Sequence, residues 1–207
     1  MSHPLTLYPR TALLIVPAYG ITVAQFAVMA QYGSVTFDLE ARYDKRRKQL
    51  HRMTVGGANG TQQLTVPLVK PEHITGTTVA DLEMSAHGQW WNIHWGAIES
   101  AYGRSPYFEY YAPDLQPLYT APSGSLMQFN IALHRFCCRV LDIQHLSGEI
   151  ATSQNADSQL LNKLPLPTEL PYYQVWAQRF GFTPGLSILD LIFNLGPESP
   201  LYLRSLR

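Results

Sequence analysis

The sequence predicts an α/β protein in which a mixed β-sheet from the N-terminal half packs against helices from the C-terminal half. Three observations carry that reading. Short β-rich runs, broken by one helical stretch, fill roughly the first ninety residues. The pair Asn59-Gly60 separates two of those runs with residues suited to a tight turn. From Trp90 onward the apolar residues recur at helical spacing instead.

Taken in order, "ALLIV" predicts a buried strand over Thr11 to Val16, closed by Pro17 and Gly20. "ITVAQFAVMAQYG" follows with apolar positions that fit a helix ending at Gly33. "SVTFDLEARY" alternates like a strand, and "LHRMTVGGANGTQQLTVPLV" reads as a hairpin with Asn59 and Gly60 in its two turn positions. "TVADLEMS" predicts one more strand. Next, Trp91, Trp95, Ile98 and Tyr102 fall at i, i+4, i+7 and i+11, one apolar stripe on a helix that Ser105-Pro106 ends. Further helices are expected over Phe108 to Leu118 and Ser125 to Leu141. "SQNADSQLLNKLPLPTELP" has no sustained period and predicts a loop. Ser187 is placed to cap a last short helix from Ile188, with Asp190 in its first turn suiting the helix dipole. No repeat or composition break divides the chain, so residues 1–207 read as one domain.

Composition excludes several classes of function. Fifteen basic and fifteen acidic side chains cancel, so no global field recruits nucleic acid or an anionic membrane. "ALLIV" is too short for a membrane span or the core of a signal peptide. Cys137 and Cys138 are neighbours in a helical pattern and cannot form a long-range cross-link. A cytoplasmic location is expected, with no direct membrane insertion. The seven histidines are scattered, "GGANG" lacks the Lys-Ser/Thr of a phosphate-binding loop, and no G-x-S-x-G elbow occurs. Neither a metal nor another cofactor is expected.

Three blocks carry a resemblance: "GANG" with "LTVPLVK", then "HWGAIESAYGRSPYFEYY", then "YYQVWAQRFGFTPGLSILDLIFNLGPES". Kept in this order, they make the stretch from about Tyr19 to about Ser199 resemble the WbqC-like protein family. The resemblance implies a context in bacterial surface-polysaccharide metabolism and does not specify a reaction. The chain departs from the family pattern in two places. An Asn/Arg-rich run before the hairpin is replaced by "KRRKQLHRMTV", which leaves Arg52 and a basic residue at Lys45 or Arg46 as matches. A longer glycine-containing segment before the last block is replaced by "KLPLPTELP".

Candidate site residues follow from chemistry. "RYDKRRKQLHR" concentrates six of the fifteen Lys and Arg residues against one acid, Asp44. Such a run either binds an anion, with Arg as a bidentate donor and Lys as a mobile charge, or is simply a solvated loop. Arg52 lies inside a strand pattern beside Met53 and Val55, which favours a pocket-lining donor. His94 sits on the flank of the aromatic stripe, where its ring is expected either to face a cleft as a proton carrier or to pack in the core. Asn130 stands on a buried helix face, and its amide must find partners or a ligand. Tyr19 and Tyr102 are expected to stack or donate.

Two functions are open at this level. In the first, the protein binds or modifies an anionic small metabolite, a sugar nucleotide or phosphorylated precursor, with Tyr19, Lys45, Arg46, Arg52, Tyr102 and Asn130 holding it and His94 moving a proton. In the second, it is a non-catalytic binding or assembly protein whose aromatic block meets a protein partner. The discriminating observation is whether Arg52, His94 and Asn130 line one concave pocket.

Overall fold

The computed structural model describes residues 12–71, 73, 76–151 and 159–206. Thr11 and most of the polar half of the predicted Pro-rich loop, residues 153–158, lie outside them. The α/β class holds, and the mixture of strand directions is divided among three sheets.

Strand β1 (Ala12–Ile15) leads into helix α1 (Val23–Met29) and back to β2 (Ser34–Phe37). β1 and β2 run parallel, with Leu13 opposite Val35 and Ile15 opposite Phe37, so these strands bury one continuous apolar face. Helix α1 starts where Thr22 and Gln25 cap each other reciprocally, which meets two amide donors that would otherwise be unpaired. The hairpin pairs β3 (Arg52–Gly57) with β4 (Gly60–Thr65). Met53, Val55 and Leu64 point inward from it, while Arg52, Thr54, Gln63 and Thr65 form its polar face.

The turn lies one residue earlier than the sequence predicts. Gly57 pairs with Gly60, so Ala58 and Asn59 occupy the tip, neither with positive φ, and Gly60 follows at φ +99°. A turn with ordinary tip residues and a left-handed glycine after them explains the shift. Gly60→Val is expected to cost ~1–3 kcal/mol, since a β-branched residue is strained at that φ. A urea midpoint equal to the parent's would refute it.

"TVADLEMS" is mostly not a strand. Its only strand among the described residues is β5 (Glu83–Met84), paired with β6 (Gly124–Ser125), beside an isolated bridge from Thr78 to Arg42. Upstream, Asp81 Oδ2 accepts from both the amide and the hydroxyl of Thr78 at 2.8 Å, and this local turn competes with a ladder.

The later helices are α2 (Trp90–Tyr102), α3 (Phe108–Leu115), α4 (Leu126–Val140), a short α5 (Ala177–Phe180), α6 (Ile188–Leu195) and α7 (Ser199–Ser205). Two short strands, β7 (Glu149–Ile150) and β8 (Gln159–Leu160), join the first sheet to give the parallel order β7-β2-β1-β8. One core cluster runs from Leu13 to Leu206. No helix among the described residues is long and apolar enough to cross a membrane.

The stripe on α2 is rotated from its predicted position. Ile98 and Tyr102 are buried as expected, but the upper turns bury Trp90 and His94 and leave Trp91 and Trp95 half-buried. Tyr19 stacks on the His94 ring and Trp90 meets it edge-on, with Phe129 packed behind both, so His94 is at the centre of the buried face and not on its flank.

A cationic crevice at the strand ends

β1 connects through α1 to β2 on one side, while β8 returns on its other side. In an open α/β sheet, that reversal leaves a crevice outside the carboxyl ends of the strands. A pocket of about 380 Å³ occupies it. Each of three adjacent strands contributes residues at its carboxyl end: Ile15 and Val16 from β1, Asp38 just past β2, Leu161 and Asn162 just past β8. The volume falls in the range of small-molecule sites.

The opposite wall is the turn before the hairpin, where Arg46, Arg47, Lys48 and Gln49 line the pocket above Leu50. Arg46 is tied to Asp44 at 3.0 Å, which holds the Asp44 carboxyl below its usual range through hydrogen bonding to Arg46. Arg47 and Lys48 have no carboxylate at ion-pair distance among the described residues. They stand in the lining outside any ion pair, although Arg47 helps Arg46 to hold the Asp44 carboxyl down, and Asp38 is the acidic residue of the lining.

The wall is held by backbone and amide contacts. Tyr19 and Gly20 donate backbone N–H bonds to the carbonyls of Leu50 and Gln49. Asn130 donates to the carbonyls of Pro17 (3.2 Å) and Leu50 (2.8 Å), stitching the β1–α1 loop to the basic turn from beneath. Its amide nitrogen has found structural partners, while its buried Oδ1 has no hydrogen-bond partner among the described residues.

The remaining sequence-predicted residues are distributed elsewhere. Tyr19 is buried, its hydroxyl 2.8 Å from His94 Nδ1 and 3.2 Å from the Tyr119 hydroxyl. Burial pushes the His94 pKa down to about 4 and raises that of Tyr19. Neither His94 nor Asn130 lines a described cavity. Lys45 is exposed beside the crevice lining. Arg52 faces a neighbouring groove, with Nε donating to Thr65 Oγ1 and Nη1 to Gln63 Oε1, each at 3.1 Å. Arg52, His94 and Asn130 therefore do not share a pocket.

Tyr102 belongs to a separate buried network around Asp190. The carboxylate accepts from the Tyr172 hydroxyl at 2.6 Å and from Gln174 Nε2 at 2.9 Å, and also bonds Tyr102, whose hydroxyl accepts from the Gly56 amide. Asp190 is in the first turn of α6 as expected, but it turns inward and is only 2% exposed, so its role there is not the surface helix dipole. Burial raises its pKa to about 6. An acid inside the apolar run "LSILDLIF" was the available signal for a buried, partnered carboxylate.

Sequence reasoning located the basic run but missed Asp38 and Asn162, which enter the lining because their strands end together, and Gln49, which enters it because the basic turn packs over those ends. Cys137 and Cys138 are buried in α4, and burial pushes the Cys138 thiol up to about 12, so neither is an activated nucleophile.

Fold and crevice define an α/β protein with a cation-walled pocket at the carboxyl ends of a parallel sheet. The model of the WbqC-like protein family matches residues 25–165, and the chain belongs to that family. The matched span contains the basic turn, the hairpin and the aromatic block, while the block from Tyr172 lies beyond it. A relative from Mycobacterium tuberculosis, "Uncharacterized protein Rv1507c", is 26% identical over 215 residues, covering 81% of this chain and 86% of the relative. No solved structure matches the chain.

Proposed function

We propose that the strand-end crevice binds an anionic small metabolite, a sugar nucleotide or another phosphorylated precursor, in bacterial surface-polysaccharide metabolism. The observation that supports this reading best is the meeting of Arg47 and Lys48, neither in an ion pair among the described residues, with an apolar floor of Ile15, Ile21, Leu50 and Leu161 in one 380 Å³ pocket. Cations at the rim suit a phosphate, and the floor suits a ring. Gln49 and Asn162 add neutral polar groups for orientation.

Arg46 and Arg47 are solvent-exposed, so Arg46→Ser with Arg47→Ser is expected to leave the fold intact. Titration calorimetry with nucleotides, sugar nucleotides and sugar phosphates is the test. The double variant should bind at least tenfold more weakly at low salt, and its affinity should depend less on salt, because exposed charges supply the screened part of the attraction. Retention of both affinity and salt slope would reduce the run to a solvated face.

The aromatic block favours the partner-surface reading less. Its rings mostly fill the core, and of its large apolar side chains Ile93 and Tyr110 stand out in solvent.

A further inference from the structure

A second cavity, of about 240 Å³, adjoins the crevice and shares Lys48 and Gln49 with it. Its character differs. Its floor is the polar face of the hairpin, with Arg52, Thr54 and Gln63, and its other wall brings Thr22, Gly185 and Ser187 from the starts of α1 and α6. That wall is fixed by backbone pairing: Thr22 bridges Ser187, and the Ser187 amide donates to the Thr54 carbonyl at 2.9 Å. Among the described residues no carboxylate is in the groove's lining, and the nearby Glu169 carboxylate is engaged by the Gly185 amide at 3.2 Å.

Several donors in it are unused. Arg52 spends Nε and Nη1 on Thr65 and Gln63, which locks the guanidinium plane and leaves Nη2 without a partner among the described residues. The Gln63 amide nitrogen and the Thr54 hydroxyl likewise have no partner among the described residues. At the junction stands Lys48, without an ion-pair partner among the described residues. An apolar pocket, a cation at a junction and a groove of neutral donors form a graded series along one cleft.

We infer that the groove is a second subsite, which takes the hydroxyl-rich part of a two-part ligand whose phosphate linkage lies at Lys48 and whose ring occupies the crevice. This rests on the phosphate-binding reading of the crevice and narrows it to pyrophosphate- or phosphate-linked sugars. Hydroxyl groups fit the groove because each both donates and accepts, matching Arg52 and Gln63 as donors and the threonine hydroxyl as either. Arg52 and Thr54 then determine specificity, whereas Arg47 and Lys48 supply charge.

Calorimetric titration of the full chain with uridine, guanosine, adenosine and thymidine diphosphates, each beside its hexose conjugate, tests the subsite. The conjugate carries less negative charge than the free diphosphate, so charge alone would make it the weaker ligand. For at least one base the hexose conjugate is expected to bind tenfold or more tightly than the diphosphate. Thr54→Val removes one hydroxyl at nearly constant shape, and Arg52→Gln removes the free donor; in each variant that ratio should fall toward one. Circular dichroism melts confirm that either variant is folded. If diphosphates bind and the conjugates gain nothing, or if both folded variants keep the ratio, the second subsite is refuted while the crevice reading stands. If no member of the panel binds, both are overturned.

Discussion

Gly20→Ala is expected to lose about 3 kcal/mol or more of folding stability. A Cβ built at Gly20 would lie 2.0 Å from the Arg52 carbonyl oxygen and 3.2 Å from Met53 Cα. Both obstacles are backbone, so no rotamer change relieves the overlap. The neighbouring bonds cannot yield freely either, since the Gly20 amide donates to the Gln49 carbonyl at 3.0 Å and the Tyr19 amide to that of Leu50. The substitution therefore pushes the β1–α1 loop away from the segment that carries the cations of the crevice. Gly96→Ala is the matching control: nothing lies within 4 Å of its Cβ, and it sits on an exposed turn of α2. It should raise stability by roughly 0.5–1 kcal/mol, as alanine replaces glycine in a helix. Urea melts of the two variants give the comparison, and a Gly20→Ala midpoint equal to the parent's would refute the close approach.

That contact shows why the sequence revealed the elements and not the site. The βαβ start, the hairpin and the capped helix from Ile188 are local, set by period, turn residues and caps, and the pattern placed each of them, although α1 stops at Met29 and not at Gly33 and β2 stops at Phe37, short of the alternating run's end. Misplacements arose where a neighbour decided the outcome. Trp91 and His94 have similar local claims to the buried face of α2, and Tyr19, which stacks on the His94 ring and whose hydroxyl lies 2.8 Å from its Nδ1, settles it in favour of His94. Asn59-Gly60 is a strong turn signal, yet the ladder register puts the tip at Ala58 and Asn59. Asp38 and Asn162 belong to one cavity because β2 and β8 end beside β1, and Gln49 joins them because the turn before the hairpin packs across those ends. No window of sequence contains that information. A residue inside a helix or strand pattern, such as Arg52, was easier to place on a face than to assign to a cavity.

Acidification from pH 6.5 to 4 is expected to destabilise the fold through His94 and His134, 4% and 1% exposed. Burial is the leading cause that lowers each folded pKa to about 4, below the ordinary value of 6.5. The unfolded chain therefore takes up these protons first. By linkage, stability rises with pH wherever the unfolded state binds more protons, so the contribution is complete above 6.5 and is lost as pH falls toward 4. Each histidine accounts for about 1.4 kcal/mol per pH unit inside that window. Asp190 works in the opposite sense. Its folded pKa is raised to about 6 from 3.8, so its contribution is complete below 3.8 and lost as pH rises through 6. Where the windows overlap, Asp190 offsets one histidine and leaves a net loss on acidification. His134→Gln isolates the histidine effect, because glutamine keeps a donor for the Leu146 carbonyl, which His134 Nε2 approaches at 2.7 Å, but does not titrate. Unfolding free energies from urea melts between pH 7 and 4.5 should fall less steeply for this variant than for the parent, by about one proton. An unchanged slope would mean that His134 is not the residue that the unfolded chain protonates first.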